Sequence, residues 1–228
     1  MRPSLLSLAT LVLLPLSMAA IFLYAPTERV QGQVQRIFYL HLPLAWVAYL
    51  AFFIVFLCSL LYLWRRSERW DLLGHAAAEV GVIFTTLVLI TGSLWARPIW
   101  GTWWSWDARL TTTLVLWFIY VGYLMLRSYV ADRRRGARYA AVLGIVGFLD
   151  VPIIHQSVTW WRTLHPAPVV LAEGGPAMPP SMLLTFGLSM LAFTLLFVWL
   201  LQQRYRLEQT RLELCALRER RADLAEAF

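Results

Sequence analysis

Three histidines and a run of tryptophans are the residues of this chain best suited to chemistry. The run is WGTWWSWDARLT, Trp100 to Thr111, with indoles at Trp100, Trp103, Trp104 and Trp106, followed by Asp107 and Arg109. His41 precedes it in FYLHLPLAW, and His165 follows it in WWRTLHPAP. Imidazole is a good axial ligand for haem iron. Ring contacts contribute about 0.5–1.5 kcal/mol each beyond simple burial, so clustered indoles suit a flat, apolar, extended ligand. Two ligands satisfy these residue types: a haem clamped between two histidines with indoles over its faces and edges, and a quinone held at a membrane surface. Arg109 would anchor a carboxylate on the ligand rim, with a lipid headgroup contact as its plain alternative. Asp107 has an alternative of its own, as N-cap of the helix that follows it. Gly101 permits a tight backbone turn between the rings.

His155, in DVPIIHQS, competes with His165 for the second ligand position. The ten residues between them would span about 15 Å as helix, which puts them at different depths. His165 lies in a proline-flanked loop and can reach over a surface ligand. His155 follows Asp150 and Pro152 inside an apolar stretch and is read as supporting or structural. The fourth histidine, His75, is read as structural or solvated. Asp150 is an ionisable residue inside an apolar stretch, which marks a functional site by default.

The elements that must position these residues are membrane helices. The 228 residues are 60% hydrophobic and 14% charged, too apolar for an ordinary soluble domain. A bilayer helix needs about 20 predominantly apolar residues. Six stretches qualify, at 4–24, 42–63, 75–96, 110–127, 139–156 and 182–201. They are continuously apolar rather than alternating, which argues against a β-barrel. The expected fold is an all-α integral membrane protein with six transmembrane helices over residues 1–201 and a helical tail at 202–228. Ser17-Met18-Ala19 resembles a signal-cleavage site, but the apolar run continues through Tyr24, so a retained helix is expected.

All twenty basic residues are arginine. Fifteen, including Arg65, Arg133 and Arg204, fall at one set of segment ends; five, Arg29, Arg36, Arg97, Arg109 and Arg162, fall at the other. Basic residues near segment ends stay cytoplasmic. Both termini and the tail are therefore expected inside, with outside loops at 25–41, 97–109 and 157–181. The net charge of +7 orients the chain, and no nucleic-acid partner is needed to explain it. Eight tryptophans lie near the outer face and three near the inner, an imbalance that interfacial anchoring explains poorly. There is no C-x-x-C-H for covalent haem attachment and no phosphate-binding G-x-x-x-x-G-K-[ST] loop. Any coupled ATP hydrolysis must come from partner subunits.

WGTWWSWDARLT, together with QRIFYLHLPLAWVAY and DVPIIHQSVTWWRTLH, resembles the WWD-domain proteins of cytochrome c maturation, and in size the haem exporter protein C (CcmC) family. That resemblance implies a non-enzymatic haem-handling subunit of the bacterial inner membrane, binding haem b non-covalently at the periplasmic face. It implies His41 and His165 as axial ligands to the iron, and Trp100, Trp103, Trp104, Trp106 and Asp107 as platform. It implies delivery to the haem chaperone CcmE, beside the ATP-binding-cassette pair CcmA and CcmB and the single-span CcmD. The family pattern would carry an amide near Asp150 and a neutral residue near Arg162, and a shorter tail. A quinone-binding membrane subunit and a haem transporter with a route through the bilayer are the rival functions.

Overall fold

The computed structural model describes residues 4–161, 163–165 and 178–226. Among the described residues, seven α-helices make six spans long and apolar enough to cross a membrane. Helix α1 covers Leu5–Ala19 and ends in a π-turn, Ala20–Tyr24; Ser4 caps its start, accepting from Ser7 N at 3.1 Å. A 3₁₀ turn, Gln33–Ile37, leads into α2, Phe38–Arg65, and α3 follows at Glu68–Trp100. Helix α4 is Ala108–Tyr129, and α5, Arg133–Phe148, starts at Asp132, whose carboxylate accepts from Arg134 N and Arg135 N. Helix α6 is Asp150–Trp160 and α7 is Pro180–Glu226.

Three differences from the expected boundaries matter for the site. Residues 38–41 were expected in loop one, yet α2 begins at Phe38 and His41 sits in its first turns. The Trp-rich loop is shorter than 97–109, because α3 runs through Pro98 to Trp100 and closes at Gly101. Gly101 is left-handed at φ 75°, and its N–H bonds Arg97 O at 3.0 Å, a C-cap that glycine adopts without steric cost. The fifth span breaks at Leu149 into α5 and α6.

The helices pack through small residues that let backbones approach closely, the usual membrane solution. A Cβ on Gly147 would sit 2.5 Å from Ile119 Cγ2, and one on Gly81 2.7 Å from Phe52 Cε1. Phe52 of α2 stacks on Tyr120 of α4 at 3.7 Å, at the centre of a cluster with Val55, Ala78, Leu116 and Ile154. Helix α1 joins through a buried hydroxyl pair, Ser17 with Ser189 of α7, at 2.9 Å. In a medium without water such a bond replaces an otherwise unsatisfied group.

Charge gathers at one end of the bundle. Asp71 and Arg127 form a bidentate pair, Nη2 to Oδ2 at 2.9 Å, with both side chains almost fully buried. Arg204 of α7 binds Glu79 of α3, Nε to Oε2 at 2.8 Å, and Glu208 at 3.2 Å. The second of these answers the cost of Glu79 in a span. The 47 residues of α7 measure about 70 Å at 1.5 Å per residue. That is more than twice a hydrocarbon core of about 30 Å, so the expected tail is the same unbroken helix. His41, the Trp loop and His165 sit at the opposite end.

Candidate haem site

His41 projects from the first turns of α2 against α3. Its ring lies over Gly92, where a Cβ would come within 3.2 Å of Cε1, and edge-on to Trp95 at 5.8 Å. Its Nδ1 is 2.9 Å from Thr91 Oγ1. The Thr91 hydroxyl has one proton, directed at Leu87 O at 2.7 Å. The oxygen therefore accepts from His41 Nδ1–H, and that tautomer leaves Nε2 with a free lone pair.

His165 is held in the same way by a different group. Its Nδ1 donates to Asp107 Oδ2 at 2.9 Å. Thr163 Oγ1 donates to the same oxygen at 2.7 Å and in turn accepts His165 N at 3.1 Å. The other carboxylate oxygen, Oδ1, accepts from Leu110 N at 2.9 Å and so caps α4. Asp107 thus fills the N-cap role expected of it and takes on one that the sequence did not show, since its other oxygen fixes the imidazole. Metal-binding histidines almost always donate their second ring nitrogen in this manner, to a carboxylate, carbonyl or water.

The electrostatics agree with that wiring. Burial alone would raise the Asp107 carboxyl, but bonds from Leu110 N, Thr163 and His165 outweigh it and bring the group below its ordinary value. Burial lowers His165 below its ordinary 6.5; the Asp107 carboxylate pulls it part of the way back, and the Arg109 charge opposes protonation. His165 is therefore neutral at neutral pH, the form that ligates metal. His41 meets Trp95 and His165 meets Trp100, so the C-terminal end of α3 lies beside both imidazoles. Arg109 makes no ion pair among the described residues.

The tryptophans divide. Trp100 meets His165 edge-on at 5.0 Å. Trp104 and Trp106 pack edge-to-face at 5.6 Å, and Trp103 lies under the Arg97 guanidinium at 6.0 Å. Trp103 and Trp106 are 56% and 77% exposed, an uncovered indole surface of the kind that marks a binding site. Trp104 Nε1, Ser105 Oγ and Thr111 Oγ1 are buried without a partner among the described residues. Buried polar groups are ordinarily paired, so three orphans around one loop fit a ligand that carries acceptors, as haem propionates do.

A profile of the family described as Heme exporter protein C matches residues 1–220. The chain belongs to the haem exporter protein C family. Among its relatives are a Heme exporter protein C from Bradyrhizobium diazoefficiens, 43% identical over 195 residues (86% of this chain and 74% of that one), and one from Haemophilus influenzae, 39% identical over 199 residues (87% and 81%). A mitochondrial ccmC-like protein from Marchantia polymorpha, named for cytochrome c biosynthesis, is 38% identical over 169 residues (74% and 71%). Family membership and six apolar spans together make this a multi-pass membrane protein.

Several participants were not singled out from the sequence. Thr91, Gly92 and Trp95 present one face of α3 to His41, and Thr163 braces both Asp107 and His165. Trp95 was legible only as one more outer indole, because nothing local to α3 says that α2 delivers a histidine to it. His155 is exposed on α6 and has no bond to His165 or to the Trp loop among the described residues. Asp150 sits on the inner side of α6 with Oδ2 buried and unpartnered among the described residues. Arg162 lies outside the described residues.

Proposed function

We propose that the chain holds haem b, non-covalently, at the periplasmic face of the bacterial inner membrane and passes it to the haem chaperone CcmE for c-type cytochrome maturation. His41 and His165 are the axial ligands, each through Nε2. Trp100, Trp103, Trp104 and Trp106 form the apolar platform, Asp107 orients His165, and Arg109 receives a propionate. The observation that carries this reading is the matched wiring of two imidazoles from distant parts of the chain. Each spends Nδ1–H on a fixed acceptor and keeps Nε2 bare. A quinone would take the unpartnered donors of the Trp loop but would leave both bare imidazole nitrogens without a role.

The two ligands differ in stiffness, and this suggests how haem leaves. His41 is set in a helix against Gly92, whereas His165 stands on a loop tied down by a few hydrogen bonds to Asp107 and Thr163. A chaperone that displaces His165 first frees one face of the iron while His41 still holds the other. The step is ligand exchange driven by partner binding. Any ATP use belongs to CcmA, which with CcmB and the single-span CcmD forms the working complex. The arginine excess at the Asp71–Arg127 end supports a cytoplasmic position for that end, and with it an outer position for the histidines.

The test is the visible absorption spectrum of the purified protein and of His41→Ala and His165→Ala. Each single variant is expected to lose the bis-histidine spectrum and most of its haem. Full loading and an unshifted spectrum in both would refute the ligand assignment. Quinone in a solvent extract, with no haem, would refute the ligand class.

A further inference from the structure

One outward face of the bundle does not match the rest. The lipid-facing positions of the other spans are apolar: Leu8 and Leu11 on α1, Ile83 and Leu87 on α3, Val115 and Phe118 on α4, Val142 and Val146 on α5. On α6 the exposed residues are Pro152, His155, Gln156, Thr159 and Trp160. At 100° per residue, Pro152, His155, Gln156 and Thr159 fall within one arc of about 100°, opposite the buried Ile154 and Ser157. Among the described residues nothing bonds to His155, and Gln156 is met only by Thr159 of its own helix.

Depth decides what covers this face. Tryptophans favour the membrane boundary, and Trp160 and Trp161 close α6. Eleven residues of α6 descend about 16 Å, roughly half of a hydrocarbon core of about 30 Å. His155 and Gln156 then lie about 6–8 Å below the boundary, where neither water nor a headgroup is the natural partner. An imidazole and an amide facing hydrocarbon are costly unless bonded, and polar side chains are the usual glue between membrane helices.

We infer that the outer half of α6 is a docking surface for a transmembrane helix of a partner subunit, one presenting a hydroxyl, amide or carboxylate to His155, Gln156 and Thr159. The surface lies next to the haem site in the chain. Only residues 161 and 162 separate α6 from Thr163, which bonds Asp107 and His165. A helix seated on α6 therefore bears on the loop that presents His165. That consequence rests on the haem-binding reading; the surface itself does not.

The test uses the full-length chain in its native membrane with its partners present. A diazirine side chain is placed at Gln156 or Thr159, and at Val142 or Phe118 as lipid-facing controls. Light should give a discrete adduct from the first pair only. The adduct should map to a membrane-spanning segment of another chain that carries a hydrogen-bonding residue, and replacing that residue with leucine should abolish it. The Gln156→Leu variant, alone and with His155→Leu, should reduce co-purification of that chain about tenfold or more. The haem absorbance of the isolated protein should be unchanged, which keeps this test separate from that of haem binding. Lipid-only adducts at Gln156, an adduct to a second copy or within the chain itself, or undiminished co-purification would each overturn the proposal.

Discussion

Asp107→Asn isolates the contribution of a single hydrogen bond. Asparagine is as good an N-cap as aspartate, so its carbonyl oxygen can keep the bond from Leu110 N that starts α4. That leaves the amide nitrogen facing His165 Nδ1 and Thr163 Oγ1, where a carboxylate oxygen accepted at 2.9 and 2.7 Å. An N–H₂ there donates to Nδ1 and forces the ring proton onto Nε2, the nitrogen proposed to bind iron. The reversed amide sets its N–H₂ against Leu110 N–H and loses the cap. A hydrogen bond to a charged group is worth about 1.5–3 kcal/mol, which corresponds to roughly 10–150-fold in affinity. Loss of an outer-shell partner of a metal ligand typically costs about 10–100-fold, so two routes agree on the scale. The assay is haem transfer from the purified variant to an apo-globin trap, followed by absorbance, with thermal unfolding recorded alongside. The expected result is haem loss faster by one to two orders of magnitude with little change in unfolding temperature. Wild-type retention with an unshifted spectrum would refute the argument that Asp107 sets the His165 tautomer.

Thr91→Val removes the acceptor of His41 Nδ1–H and should weaken haem retention by about tenfold, again without a matching loss of stability. Gly92→Ala places a methyl 3.2 Å from His41 Cε1; helix propensity favours alanine by about 1 kcal/mol, so the variant should melt no lower while its haem spectrum shifts. Haem retention should be flat at neutral pH and fall only below 6.5, because burial holds His165 below that ordinary value and only the neutral ring ligates. Below its folded pKa the loss is at most about tenfold per pH unit for one proton, and a pH titration of retention measures it. Arg127→Leu strands buried Asp71 and should destabilise by about 3–5 kcal/mol, whereas the double variant with Asp71→Leu should recover most of this, read as unfolding temperature.

The sequence by itself determined the number of spans and singled out the residues proposed for the site. Runs of about 20 apolar residues have few alternatives to helices in a bilayer, because every backbone polar group must be satisfied within the segment. The arginine distribution supplied an expected orientation, and the density of indoles between Trp100 and Trp106 marked the loop. Composition could not show which partners each side chain meets, because those contacts cross 50 or more residues. His41 meets Thr91, His165 meets Asp107, and Glu79 meets Arg204. Local signals also placed His41 in a loop, since a helix start shows weakly where an apolar run is already under way. The tertiary structure decided which ring nitrogens are spent and which are free. Tautomers follow from neighbours, and neighbours follow from how α2, α3 and the loop after α6 come together in space.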